Sequence, residues 1–259
     1  MTSSKFRVAN FARLARFNTD ASNHLIEILE GRISDDIRVD SMRPRSCTIA
    51  PSMIRCLRKS WFRLRGAEPD SISAPDLVLN HTANVGTFLH GYIQKTLKTA
   101  LGDDWIDVGD YLRDNPIPYE YTIERSGYEC LIQISNPPIK FACDGIIRID
   151  GKIYLLEIKS SDYKSWDDMT NIKVHHLDQI QTYGTILNIS GVLTLYVDRL
   201  YGSFKSYEYR ISPFDMERIR STISYLMESK DLNLAPAKVP DGDYMCLNCE
   251  YQKKCKDWG

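Results

Sequence analysis

The feature that most restricts what this chain can fold into is a change of hydrophobic period near residue 117. From Val85 to Ala100, Phe88, Leu89, Tyr92, Ile93 and Leu97 recur at helical spacing, which predicts an amphipathic helix. Four short runs of strand character follow, at 118–123, 129–134, 139–149 and 152–159. The last two flank Asp150-Gly151, a dipeptide suited to a two-residue hairpin turn. A helix over 174–187, strands near 192–198 and 204–211 and a helix over 213–230 complete the pattern. Helices, an antiparallel run, a crossover helix and further strands predict an α/β fold with a mixed sheet flanked by helices.

Upstream, residues 5–17 and 20–31 have helical spacing, the second run ending at Gly31, and the polar stretch 33–50 with Arg43-Pro44-Arg45 is expected to be a linker. A third helix is expected from Ser52, as N-cap, to Gly66. The predicted organisation is a helical N-terminal appendage over 1–45 and one catalytic domain over 46–259, closed by a cysteine-rich C-terminal region. No stretch approaches the roughly 18 apolar residues of a membrane helix, and MTSSKFRVANFARL has no secretory apolar core. A cytoplasmic protein is expected.

The net charge of −1 conceals a polarity. Residues 1–65 carry 13 Lys/Arg against 6 Asp/Glu, and the remainder 20 against 28. Arg55, Arg58, Lys59, Arg63 and Arg65 concentrate on the third helix, with Arg45 just upstream, and suit either a polyanion-binding face or a solvated helix face.

Two constellations carry chemistry. Asp144 stands on one arm of the predicted hairpin and Glu157-Ile158-Lys159 on the other, so antiparallel pairing about Asp150-Gly151 brings Asp144 opposite Glu157. Glu157 and Lys159, two apart on a strand, share a face. These residues suit an ion pair at the hairpin's edge or two carboxylates sharing a cation, with the lysine compensated by it. Separately, Cys246, Cys249 and Cys255 form C-x2-C-x5-C, while Cys47, Cys56, Cys130 and Cys143 are scattered. An odd count of seven argues against a disulfide framework. Clustered thiolates suit zinc or an iron–sulfur cluster, and spacing does not separate them.

Asp144 followed thirteen residues on by Glu157-x-Lys159, each after apolar residues, resembles the PD-(D/E)XK nucleases, with Cys143-Asp144 in place of Pro-Asp. Gly86-Thr87-Phe88-Leu89-His90 resembles the G-x3-H helix of the RecB-like subgroup, and Gln179-Ile180-Gln181-Thr182-Tyr183 its Q-x3-Y helix. The segment Ser52–Phe62, with Cys56, together with the C-terminal trio, resembles the iron–sulfur branch of these nucleases. That branch includes the AddB nuclease domain, the CRISPR spacer-acquisition nucleases and phage relatives. The resemblance spans residues 50–257; residues 1–45 match nothing in it.

What the resemblance implies is a restriction-endonuclease-like core and a metal-dependent DNA exonuclease acting from DNA ends. It would prefer single strands and serve recombination, repair or end processing. Asp144, Glu157, the Ile158 carbonyl and His90 would hold Mg²⁺ or Mn²⁺. Lys159 would orient the attacking water, and Gln179 and Tyr183 would contact DNA beside the site. Cys56, Cys246, Cys249 and Cys255 would hold a [4Fe–4S] cluster, and Cys47, Cys130 and Cys143 would be ordinary thiols. His175 and His176 are expected to be solvated at a helix start. No Walker motif is present, so unwinding would need a helicase or recombination partner. The alternatives are a non-catalytic DNA-end-binding iron–sulfur scaffold, a subunit of a helicase–nuclease complex, or a zinc-ribbon interaction protein.

Overall fold

The computed structural model describes residues 20–41, 46–70, 77–126, 129–240, 243–247 and 249–258. The helix expected over 5–17 and the Arg43-Pro44-Arg45 stretch lie outside them. The elements in chain order are α1 (Asp20–Ser41), α2 (Leu57–Leu64), α3 (Leu77–Leu101), β1 (Trp105–Ile106), α4 (Val108–Asp114), β2 (Tyr121–Ser126), β3 (Glu129–Ile134), β4 (Ile139–Cys143), β5 (Gly145–Ile149) and β6 (Lys152–Ser161). They continue as α5 (Tyr163–Asp167), α6 (Val174–Leu187), β7 (Gly191–Asp198), β8 (Phe204–Arg210), α7 (Pro213–Asp231), α8 (Tyr244–Leu247) and α9 (Gln252–Asp257). Two compact units result. One holds α1 and the first turns of α3 as far as Ala83; the other holds the rest of α3 and all remaining elements.

In the larger unit a five-stranded mixed sheet has the order β1-β5-β6-β7-β8. Only β6 and β7 are parallel, joined through α6, while the other pairs are antiparallel. A parallel pair needs helices over both faces, and β6 is accordingly a nearly continuous buried run. On one face Leu156 and Ile158 pack with Ile93, Leu89 and Leu97 of α3. On the other, Leu155 and Val192 meet Ile180 and Leu187 of α6 and Ile219 of α7. This is the restriction-endonuclease-like α/β architecture, a mixed sheet between helices.

The run 139–149 is not the single strand expected. It is cut at Asp144: β4 belongs to a separate antiparallel sheet, β2-β3-β4, and β5 to the five-stranded one. The cause is local. Asp144 leaves the ladder because its carbonyl accepts a hydrogen bond from Gln94 Nε2 at 2.8 Å and its carboxylate one from the Ile158 N–H at 2.6 Å. The Asp150-Gly151 hairpin is as expected, with both residues at positive φ (49° and 75°).

Three further differences have physical reasons. Helix α1 runs through Gly31 to Ser41, displacing the expected linker, because Arg32–Asp36 and Asp35–Arg38 pair along its surface. Ser52 caps nothing: Pro51–Met53 form one 3-10 turn and α2 starts only after Cys56. Strand β2 begins at Tyr121 rather than Pro118, a residue with no N–H for a ladder.

Candidate active site and cysteine cavity

The hairpin register sets Gly145 opposite Leu156, which carries Asp144 to the level of Glu157. Helix α3 approaches from the outer side. His90 Nδ1 lies 3.2 Å from Asp144 Oδ1, and Gln94, one turn further along the same face, holds the Asp144 carbonyl. Gly86, one turn before His90, faces Ser160: a Cβ there would stand 3.4 Å from the serine Oγ. The G-x3-H spacing thus puts a small residue and an imidazole on the helix face that meets β6.

Glu157 is 2 % exposed, and Lys159 Nζ is 2.6 Å from its Oε1. Burial holds the Glu157 carboxyl up at about 7, against the pull of Lys159 and with the charge of Asp144 adding to it. His90 is driven down by burial, but its hydrogen bond to Asp144 and that residue's charge outweigh this and leave it above the ordinary imidazole range. From α6, Gln179 Oε1 accepts from Lys159 Nζ at 3.1 Å while its Nε2 donates to the Tyr183 hydroxyl at 2.7 Å. Tyr183 is 5 % exposed and stacked on Phe141, ring centroids 5.0 Å apart. Asp144, Glu157, Lys159, His90, Gln179 and Tyr183 therefore form one connected group, although they come from α3, the β4–β5 break, β6 and α6.

Among the described residues no trio of His, Cys, Asp or Glu side chains is already arranged to hold a metal ion. Lys159 and His90 occupy the carboxylate oxygens that would face one. The donor chemistry nevertheless fits a hard divalent cation: two buried carboxylates and one imidazole, with burial raising the Glu157 carboxyl.

Cys56, Cys246, Cys249 and Cys255, 199 residues apart at their extremes, line one cavity of about 540 Å³ together with Lys59 and Tyr251. All four are free thiols. Burial raises the Cys56 and Cys246 thiols, and for Cys246 the other three cysteines add to it. Among the described residues they are not already arranged as a metal site, but four thiols around one cavity are what a bound metal centre would hold as thiolates. Cys47, Cys130 and Cys143 lie elsewhere.

Several basic side chains of this region bond within the fold, while Arg65 remains exposed. Arg58 Nε donates to the Pro236 carbonyl at 2.7 Å and Nη1 to that of Cys255 at 3.4 Å. Arg63 reaches the Ser46 carbonyl, Arg55 pairs with Asp243 and Asp178, and Arg65 lies 4.7 Å over the Trp61 ring. The Arg58 bonds and the Arg55–Asp243 pair tie α2 to the C-terminal segment, with Trp61 against Trp258 and Phe62 stacked on Tyr251. Nor are the two α6 histidines both solvated. His176 Nδ1 is 2.7 Å from the Tyr196 hydroxyl, and burial, with Lys159, His175 and Lys173 adding, pushes it down to about 2.

Sequence reasoning missed Gln94, which the i, i+4 spacing from His90 on an otherwise apolar face could have revealed. It also missed Thr194, level with Glu157 on β7, whose buried hydroxyl has no hydrogen-bond partner among the described residues.

No protein-family model matches the sequence, and no curated protein does. Among solved structures, SSO0001 is 20% identical with a TM-score of 0.49, covering 90% of this chain and 97% of its own. The alkaline exonuclease LHK-Exo of Laribacter hongkongensis is 12% identical with a TM-score of 0.42, covering 75% and 93% respectively. Likenesses this distant carry no activity across. Among the described residues no helix is long and apolar enough to cross a membrane.

Proposed function

We propose that the chain is a metal-dependent deoxyribonuclease that hydrolyses phosphodiester bonds from DNA ends, with single-stranded DNA as its preferred substrate. The observation that supports this best is the convergence of Asp144, Glu157 and Lys159 with His90 and Gln179 where α3, β6 and α6 meet. Asp144, Glu157, the Ile158 carbonyl and His90 would hold Mg²⁺ or Mn²⁺, which supplies Lewis-acid polarisation of the phosphate and a more acidic water.

The chain's own residues do the rest. The Ile158 N–H and Gln94 fix Asp144 through its carboxylate and its carbonyl, so its position does not depend on substrate. Lys159 orients the attacking water and steadies the negative charge that develops on the phosphate. Gln179 fixes the Lys159 ammonium and is itself fixed by Tyr183, which makes both positioning residues. The products carry 5′-phosphates.

Cys56, Cys246, Cys249 and Cys255 would hold a [4Fe–4S] cluster, which would tie the start of α2 to the C-terminal helices. Unwinding, where needed, would come from a partner protein such as a helicase, in recombination, repair or end processing.

End-labelled single- and double-stranded linear DNA, with a circular control, incubated with Mg²⁺ or Mn²⁺ tests the assignment. Nucleotide-sized products from linear DNA alone are expected. Cut circles would make the protein an endonuclease, and binding without cutting a DNA-end scaffold.

A further inference from the structure

Cys130 on β3 and Cys143 on β4 stand directly opposite each other in the antiparallel ladder, and both are free thiols. Neither lines the cavity of the other four cysteines. Opposed residues in such a ladder have Cα atoms about 4.5 or 5.5 Å apart, depending on the pair type. A disulfide accepts Cα separations of roughly 4.4 to 6.8 Å, so a bond here needs no strand to move.

Access is provided as well. Cys130 and Cys143 are only 6 % and 2 % exposed, yet both line a second cavity, of about 230 Å³, shared with Asp144 and rimmed by the exposed Lys98 and Arg125. Arg125 stands opposite Cys130 on β2 and pairs with Asp107 at 2.6 Å; burial and the Asp107 charge raise the Cys130 thiol, and Arg125 opposes them. Cys130 faces a second, deeper thiol across the ladder; burial raises both, so it is their opposed placement beside one cavity that pairs them as an attacking and a resolving cysteine.

We propose that Cys130 and Cys143 are a reversible oxidation site that closes a cross-strand disulfide when the protein meets a peroxide. The Cys130 sulfur attacks one peroxide oxygen: an S–O bond forms, the O–O bond breaks, and the thiol proton leaves with the other oxygen as water. The Cys143 sulfur then attacks the Cys130 sulfenic acid. The S–S bond forms as the S–O bond breaks, and the departing hydroxyl takes the Cys143 proton as a second water. Two thiols and one hydrogen peroxide give one disulfide and two waters, and the two electrons lost by sulfur reduce the peroxide. Cys143 directly precedes Asp144, so the bond ties the carboxylate's strand to β3. Resting on the nuclease reading, this slows DNA cleavage.

The test treats the purified protein, with its metal centre in place, with hydrogen peroxide, blocks residual thiols, and digests it with trypsin without reductant. Cleavage after Lys140 separates the two cysteines into peptides 126–140 and 141–148. A disulfide-linked pair of these peptides is expected, lost on dithiothreitol treatment and missing from Cys130→Ser and from Cys130→Ala. Unlinked peptides, whether as free thiols or as sulfinic acids, overturn the proposal. In the cleavage assay the oxidised parent should lose at least tenfold in rate and regain it with dithiothreitol. Equal losses in Cys130→Ser given the same peroxide would overturn the effect on the site. An untreated parent that cuts no DNA under any condition refutes the nuclease reading instead, and leaves the peptide result to decide the disulfide.

Discussion

The Lys159 ammonium lies 2.6 Å from a Glu157 carboxylate oxygen, and both side chains leave the same face of β6 toward α6. Glu157 is buried and held up at about 7, so its neighbour and a bound cation compete for the same oxygens. Asp144→Asn and Glu157→Gln remove one ligand charge each at constant shape. Cleavage should drop by about a hundredfold or more, on the scale of losing a principal electrostatic group, with DNA binding retained. Rates near the parent in either variant would dismiss this site.

Gln179→Ala takes away the Lys159 acceptor that α6 provides. Losing one charge-assisted bond predicts a fall in kcat of about ten- to a hundredfold with KM little changed. A rise in KM at constant kcat would instead make Gln179 a substrate contact. Lys159→Ala should show the same split more strongly, read from single-turnover rates against the DNA dissociation constant.

Arg58 separates a structural helix from a DNA-binding one. Arg58→Met leaves the Pro236 carbonyl without its 2.7 Å partner and should cost about 1–3 kcal/mol in denaturant unfolding. The slope of log affinity for DNA against log salt should stay as in the parent. A slope flattened by about one unit would return Arg58 to the phosphate-contacting set.

Cys→Ser at 56, 246, 249 or 255 should lower the thermal midpoint and soluble yield, whereas Cys47→Ser should do little. Anaerobically purified protein is expected to be brown, with about four irons and four sulfides per chain. One zinc and no iron would replace the cluster with a zinc site and leave the nuclease reading in place.

His176 sets an acid limit. Its folded pKa, pushed down to about 2, lies below the ordinary imidazole value of 6.5, so the unfolded chain binds the proton first. The stability tied to its neutral form is fully present above pH 6.5. It is lost as pH falls from there toward 2, by at most about 1.4 kcal/mol per unit. His176→Asn, which keeps a partner for the Tyr196 hydroxyl but does not titrate, should show a shallower loss between pH 6 and 4. Superimposable profiles would show that His176 does not set this limit.

The sequence alone determined much of this protein, because periodicity and turn chemistry act over a few residues. Glu129–Ile134 and Val174–Leu187 have the expected bounds, β7, β8 and α7 differ by a residue, and the Asp150-Gly151 turn sets Asp144 level with Glu157. Resemblance to a family's motifs likewise pointed to the residues now grouped around Glu157 and to the four cysteines now lining one cavity. The tertiary structure decided what depends on partners distant in sequence. It cut the strand at Asp144, where Gln94, fifty residues earlier, and Ile158, fourteen later, satisfy the backbone and carboxylate. It turned Arg58 of α2 inward, because the carbonyls that accept it, of Pro236 and Cys255, lie 178 and 197 residues along the chain. Charge and spacing show which groups a helix carries. Which of those groups reach solvent is decided only when the rest of the chain packs against it.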